Sequence, residues 1–132
     1  NKLENKVMIK GKVPYQELIQ YTYQAELGLS LDKNTNLNYE FSLPNKLFDY
    51  IHHETPVLAS NLTEIRKIVE GNGVGWILQN HNPETIANQI QGIFANESDY
   101  LAKKENTKLA AEKLTWENEE LVLKHLYSDL LQ

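Results

Sequence analysis

The segment Ser42-Leu43-Pro44-Asn45-Lys46-Leu47-Phe48-Asp49-Tyr50-Ile51, followed after a short gap by Pro56-Val57-Leu58-Ala59-Ser60-Asn61, constrains the fold more than any other. It reads as a polar helix N-terminus whose helix feeds a buried parallel strand. The Ser42 hydroxyl can cap the helix, and Pro44 suits a first turn, where its missing N–H costs nothing. Leu43, Leu47, Phe48 and Ile51 form an apolar stripe, which leaves Asn45 and Asp49 on the polar face. Free N–H groups, the positive end of the helix dipole and Lys46 make a seat for phosphate, and Asp49 one turn on can accept sugar hydroxyls.

The rest of the chain repeats the alternation of short apolar runs with helical patterns, as expected for parallel strands joined by crossovers. Four strand-helix steps are predicted. Val7 to Val13 is the first strand, and Pro14 begins a helix carrying Leu18, Ile19 and Tyr23. Glu26 to Leu31 and Pro56 to Ser60 are expected at the centre of the sheet. The polar run from Asp32 to Phe41 is poor material for either regular structure and reads as a loop at a strand end, where function often resides. Thr63 is expected to cap a short helix through Val69, ended by Gly71 and Gly73 before the strand Val74 to Leu78. Asn82-Pro83 opens a helix with Ile86, Ile90, Ile93 and Phe94 on one face. A helical tail fills residues 98–132, with Leu109, Ala110 and Leu114 in one segment. A second segment starts near Thr115 and carries Leu123, Leu126, Tyr127 and Leu130.

Length and composition bound what such a chain does. With 132 residues, of which 41% are hydrophobic, it can build one α/β core of ordinary domain size. It has no cysteine, its first residues do not read as a basic-apolar leader, and no apolar run in it approaches the roughly 18 residues that a membrane span needs. A cytoplasmic setting is the expectation. A formal charge of −5 argues against broad nucleic-acid binding and leaves room for a local phosphate site around Lys10, Lys12 and Lys46. His52-His53 does not read as a metal site, because neighbouring helical residues diverge by about 100° and the chain has no cysteine to complete a ligand set. Ser42 and Ser60 lack the His and Asp of a hydrolase triad. Trp116 and the tyrosines are expected in core or interdomain packing.

The wording S-L-P-N-K-L-F-D-Y-I followed by P-V-L-A-S-N-L-T-E-I resembles the donor-site helix of the bacterial group 1 (GT4-like) retaining glycosyltransferases of the GT-B fold, as found in surface-polysaccharide synthesis. The resemblance runs from Gly11-Lys12-Val13-Pro14-Tyr15-Gln16-Glu17-Leu18 through Gly73-Val74-Gly75-Trp76-Ile77-Leu78, with a familiar Leu114-Thr115-Trp116-Glu117 entry to the tail. It implies that residues 1–132 are part of a carboxyl-terminal, three-layer Rossmann-like domain with a mainly parallel sheet that binds a nucleoside diphosphate sugar. The amino-terminal acceptor domain would lie outside this chain, and the chain alone would be inactive.

The resemblance also implies roles for particular residues. Lys12 would lie at the donor site, and Val13, Pro14, Glu17 and Leu18 would border the base. Ser42, Leu43, Pro44, Asn45 and Lys46 would lie beside the diphosphate and sugar, and Asp49, where many relatives have glutamate, would bind ribose. In the family's paired-glutamate motif the first acid falls at Phe41 when Asp49 is taken as the second. Glu40, one residue early, would serve as the sugar-contacting acid with Lys46 as the other catalytic member. No metal or cofactor is implied beyond the sugar nucleotide. The acceptor would be a glycan or a lipid-linked glycan held by the other domain, with peripheral association of the full-length protein at the inner membrane face. A sugar-nucleotide epimerase or phosphorylase of the same architecture, or a noncatalytic α/β binding module, are the alternatives.

Overall fold

The computed structural model describes residues 3–131. Three short strands, β1 (Gly28–Ser30), β2 (Val57–Ala59) and β3 (Gly75–Ile77), form a parallel sheet in the order β1-β2-β3. Around them lie α1 (Tyr15–Gln24), α2 (Leu37–Phe41), α3 (Asn45–His52), α4 (Thr63–Asn72), α5 (Pro83–Ala95), α6 (Glu97–Lys113) and α7 (Trp116–Leu130). The result is a small, mostly helical α/β domain on a parallel open sheet.

Alternation along β2 divides the core. Val57 and Ala59 join Leu47 and Ile51 of α3, Ile65 and Val69 of α4, and Ala110 of α6 in one cluster. Leu58, pointing the other way, joins Leu78 and Ile93 of α5, with Trp76 and Tyr100 packed alongside. Successive strand residues face opposite sides, so helices cover both faces of the sheet. All three β2 residues are fully buried, which is why this strand is an unbroken apolar run.

Several local expectations need correction. Val7 to Val13 is not a strand: Val7, Met8 and Ile9 are 61%, 76% and 93% exposed, and no strand among the described residues pairs with them. Its alternation suits a strand, but a strand exists only through its ladder. Consequently β1 lies at an edge of the observed sheet, with Leu29 open to solvent, and is not central. The Asp32 to Phe41 run contains α2, because the Asn36 side chain accepts from the Tyr39 N–H at 3.2 Å and starts a turn.

Ser42 does not cap α3. It closes α2, while Pro44 occupies the position before α3 with extended φ and ψ and no side-chain cap. Thr63 is the first residue of α4, after Leu62 in the cap position, and the helix continues beyond Val69 and Gly71 to Asn72. It ends at Gly73, whose φ of +63° is the left-handed conformation that glycine adopts without strain. The helices expected to open at Asn82-Pro83 and near Thr115 do so, and the structure adds that the Asn82 and Thr115 side chains cap them, accepting from Glu84 N–H and Asn118 N–H.

The tail splits in its behaviour. In α6, Thr107 and Ala110 are buried, and the Asn106 amide donates to the Gly73 carbonyl at 3.0 Å, tying α6 to the end of α4. At its other end Tyr100 Oη donates to the Glu26 carbonyl at 2.9 Å, and the Trp76 indole N–H donates to Asp99 at 2.8 Å. By contrast α7 buries none of its residues, and Trp116 is exposed rather than in the core.

Candidate functional site

Open parallel sheets gather their loops at the carboxyl ends of the strands. Asp32 follows β1 by two residues, Ser60 follows β2 directly, and α3 begins from the same side because it must run back to enter β2 from its other end. Lys46 in the first turn of α3 reaches Asp32, with its Nζ 3.0 Å from Oδ1 and 2.9 Å from Oδ2. The fully buried Ser30 hydroxyl donates to the same carboxylate at 3.1 Å. Burial alone would raise the Asp32 carboxyl. The Lys46 hydrogen bond and charge, with smaller help from Ser30 and the backbone, overcome that, and the net shift is below the ordinary carboxylate value.

One turn on, Asp49 faces α1. The Tyr15 hydroxyl donates to Asp49 Oδ1 at 3.2 Å, and that acceptor, with its negative charge, holds the Tyr15 phenol above its ordinary value. Between α1 and α3 lies an open cleft of about 520 Å³ lined by Tyr15, Leu18, Asn45, Phe48, Asp49 and His52. Three residues assigned to the donor site from sequence, Leu18, Asn45 and Asp49, therefore share one concavity.

Other assigned residues stand apart. Lys12, Val13 and Pro14 belong to the segment before α1. Lys10 stacks its ammonium 4.9 Å from the centre of the Tyr21 ring, and Glu17 accepts from the Tyr21 hydroxyl at 2.9 Å, so both are tied to α1. Ser42, Leu43 and Pro44 form the link between α2 and α3. Leu43 lines a second, more apolar cavity of about 560 Å³ with Asn45, Phe48, His52, Ile68 and Trp116. Glu40 is drawn to α4, where one oxygen accepts from the Thr63 N–H at 3.2 Å and from the Thr63 hydroxyl. Its other oxygen accepts from the Asn34 amide. A carboxylate at the first N–H groups of a helix is a favourable placement.

Sequence reasoning missed three partners at this edge: Asp32 for Lys46, Tyr15 for Asp49, and His81 for Ser60, whose Oγ lies 3.0 Å from His81 Nε2. A signal existed for two of them. Asp32 is the first acid after β1, and the loop after β3 must lie beside the loop after its parallel neighbour β2, which brings His81 to Ser60. Among the described residues, no helix is long and apolar enough to cross a membrane.

Fold and site together define an α/β domain that collects its polar and ionic side chains at the carboxyl edge of a parallel sheet and beside one helix N-terminus. This chain belongs to the glucosyltransferase 3-like C-terminal domain family, whose model matches residues 1–118. No curated protein and no solved structure matches it. It is thus a glycosyltransferase-related carboxyl-terminal domain.

Proposed function

We propose that this chain is the donor-binding domain of a retaining glycosyltransferase, a three-layer Rossmann-like half of a GT-B fold, serving cell-surface polysaccharide synthesis in the cytoplasm. The observation that carries the reading is the cleft in which Leu18, Asn45 and Asp49 meet, with Lys46 held close by at the head of α3. The base would sit toward Val13, Pro14, Glu17 and Leu18, with ribose on Asp49 and the diphosphate at Asn45 and Lys46. Lys12 and the Ser42 to Pro44 link would close the phosphate side.

In the transfer, the bond from the anomeric carbon to the diphosphate breaks and the acceptor oxygen bonds to that carbon on the same face. The acceptor's proton passes to the departing phosphate. Negative charge grows on the leaving group, and the Lys46 ammonium and the α3 N–H groups offset it without a metal. Glu40, held by Thr63 through one oxygen, would reach the sugar only with the acceptor capacity left on the oxygen that Asn34 touches. The acceptor, a glycan or lipid-linked glycan, would be held by an amino-terminal domain of the full-length protein at the inner membrane face.

Titration of the full-length protein with nucleoside diphosphates, followed by product analysis with a matched sugar nucleotide and acceptor, tests the proposal. Transfer to the acceptor is expected. Isomerised sugar nucleotide without acceptor, or phosphorolysis, would replace it with an epimerase or phosphorylase, and no nucleotide binding would leave a noncatalytic module.

A further inference from the structure

The ion pair between Asp32 and Lys46 is built unlike an incidental surface pair. Its carboxylate stands two residues past the end of β1, receives the Lys46 ammonium on both oxygens, and is fixed from beneath by the hydroxyl of buried Ser30, the last residue of that strand. The Asp32 side chain is 22% exposed and that of Lys46 is 43% exposed, so the acid forms the floor and the ammonium the accessible layer. An ammonium has three N–H donors, and the two turned to Asp32 leave one for an incoming ligand.

We infer that Asp32 is a positioning residue for Lys46 and, by standing behind it as a fixed negative charge, sets how readily the site lets a nucleoside diphosphate go; this rests on the donor-binding reading above. A lysine at the head of α3 carries four rotatable side-chain bonds, and Asp32 confines them to one placement of the ammonium. The same carboxylate repels phosphate oxygens that approach Lys46. Binding of donor and release of the nucleoside diphosphate leaving group are thereby balanced: the ammonium is aimed at the charge that grows during bond cleavage, and the free diphosphate is not retained as tightly as an unpaired lysine would retain it.

The test uses Asp32→Asn, Lys46→Ala and the double variant of the full-length protein. UDP, GDP and dTDP are the binding probes, and the donor carrying whichever nucleotide binds serves for turnover. Asp32→Asn should bind the nucleoside diphosphate roughly tenfold more tightly, because one neighbouring like charge is gone. Its kcat should fall about tenfold as the ammonium loses its fixed aim, so KM and kcat fall together. In the Lys46→Ala background Asp32→Asn should cause no further loss of kcat, since there is no ammonium left to aim. Asp32→Ser, which also removes the charge while keeping a hydroxyl for Ser30, guards against a folding defect and should behave as Asp32→Asn does.

Unchanged binding and turnover in both Asp32 variants, or an equal loss of kcat with and without Lys46, would overturn the inference while leaving donor binding in place. Failure of the unaltered protein to bind any of the three nucleotides would overturn both.

Discussion

Tyr15 on α1 reaches across to α3 and donates its hydroxyl proton to Asp49, Oη to Oδ1, at 3.2 Å. The contact joins two helices whose facing sides line the cleft assigned to the nucleotide. Asp49 is therefore held in place before any ligand arrives, with its second oxygen available. Asp49→Asn is expected to weaken nucleoside diphosphate binding about tenfold, the scale of a lost hydrogen bond to a charged group. Tyr15→Phe removes only the orienting contact and should cost about threefold. Calorimetric titration of the folded variants checks this, and an equal effect of the two substitutions would contradict the division of roles.

Lys46 and Leu47 are adjacent in sequence and should fail in different ways. Lys46→Ala is expected to lower donor use roughly tenfold to hundredfold, with the fold intact, because it removes a charge-assisted contact from an accessible side chain. Leu47 is 0% exposed inside the cluster shared by α3, α4 and β2. Its replacement by Ala should cost about 2–5 kcal/mol of stability through lost transfer energy and the cavity left behind. Denaturant melts read beside donor titrations separate the two. A stable Leu47→Ala protein, or a Lys46→Ala protein with unaltered turnover, would return that residue to the solvated or peripheral surface.

The third strand depends on a missing side chain. A Cβ on Gly75 would lie 1.9 Å from the carbonyl oxygen of Val57, its partner across the β2–β3 ladder. That neighbour is backbone and cannot swing aside. Gly75→Ala is therefore expected to break the local pairing and to cost more stability than Gly71→Ala, where a Cβ meets nothing within 4 Å. Comparison of urea midpoints for the two variants decides, and equal midpoints would show that the ladder adapts.

Acid should loosen the Asp32–Lys46 pair with a definite sign. The folded carboxyl titrates below its unfolded value, so its contribution to stability is fully present above the unfolded carboxylate range near pH 4 and is lost as pH falls through the lower folded value. Urea unfolding from pH 7 down to about pH 3 should thus show a steeper acid loss in the unaltered protein than in Asp32→Asn. Parallel curves would mean that the pair contributes nothing to folding.

How much of this was legible depended on whether a feature is local. The Leu47 and Ile51 part of the α3 stripe, the buried β2 run and the helix starts at Asn82-Pro83 and near Thr115 rest on periodicity and on residues a few positions apart, and they appear as read, whereas Leu43, assigned to the same stripe, lies outside α3 and is exposed. Val7 to Val13 has the same local credentials as β2, yet it lies exposed, because pairing depends on a neighbouring strand that the segment itself does not specify. The site divides in the same way. Lys46 and Asp49 stand out at a helix start, but their partners Asp32 and Tyr15 lie 14 and 34 positions away, and only the packing of α1 and β1 against α3 selects them. Glu40 has its partner at a similar distance along the chain, since α2 turns it toward Thr63 of α4, 23 positions away.

Helix α6 touches both halves of the core: Ala110 fills the cluster under α3 and α4, Asn106 holds the end of α4, and Tyr100 stacks beside Trp76 on the opposite face. A chain made from its amino end therefore has all three strands available well before it has the helix that closes them. On the ribosome the sheet must wait, half-covered, until the residues up to Ala110 have emerged, and the domain is expected to gain its protease resistance in one late step rather than strand by strand.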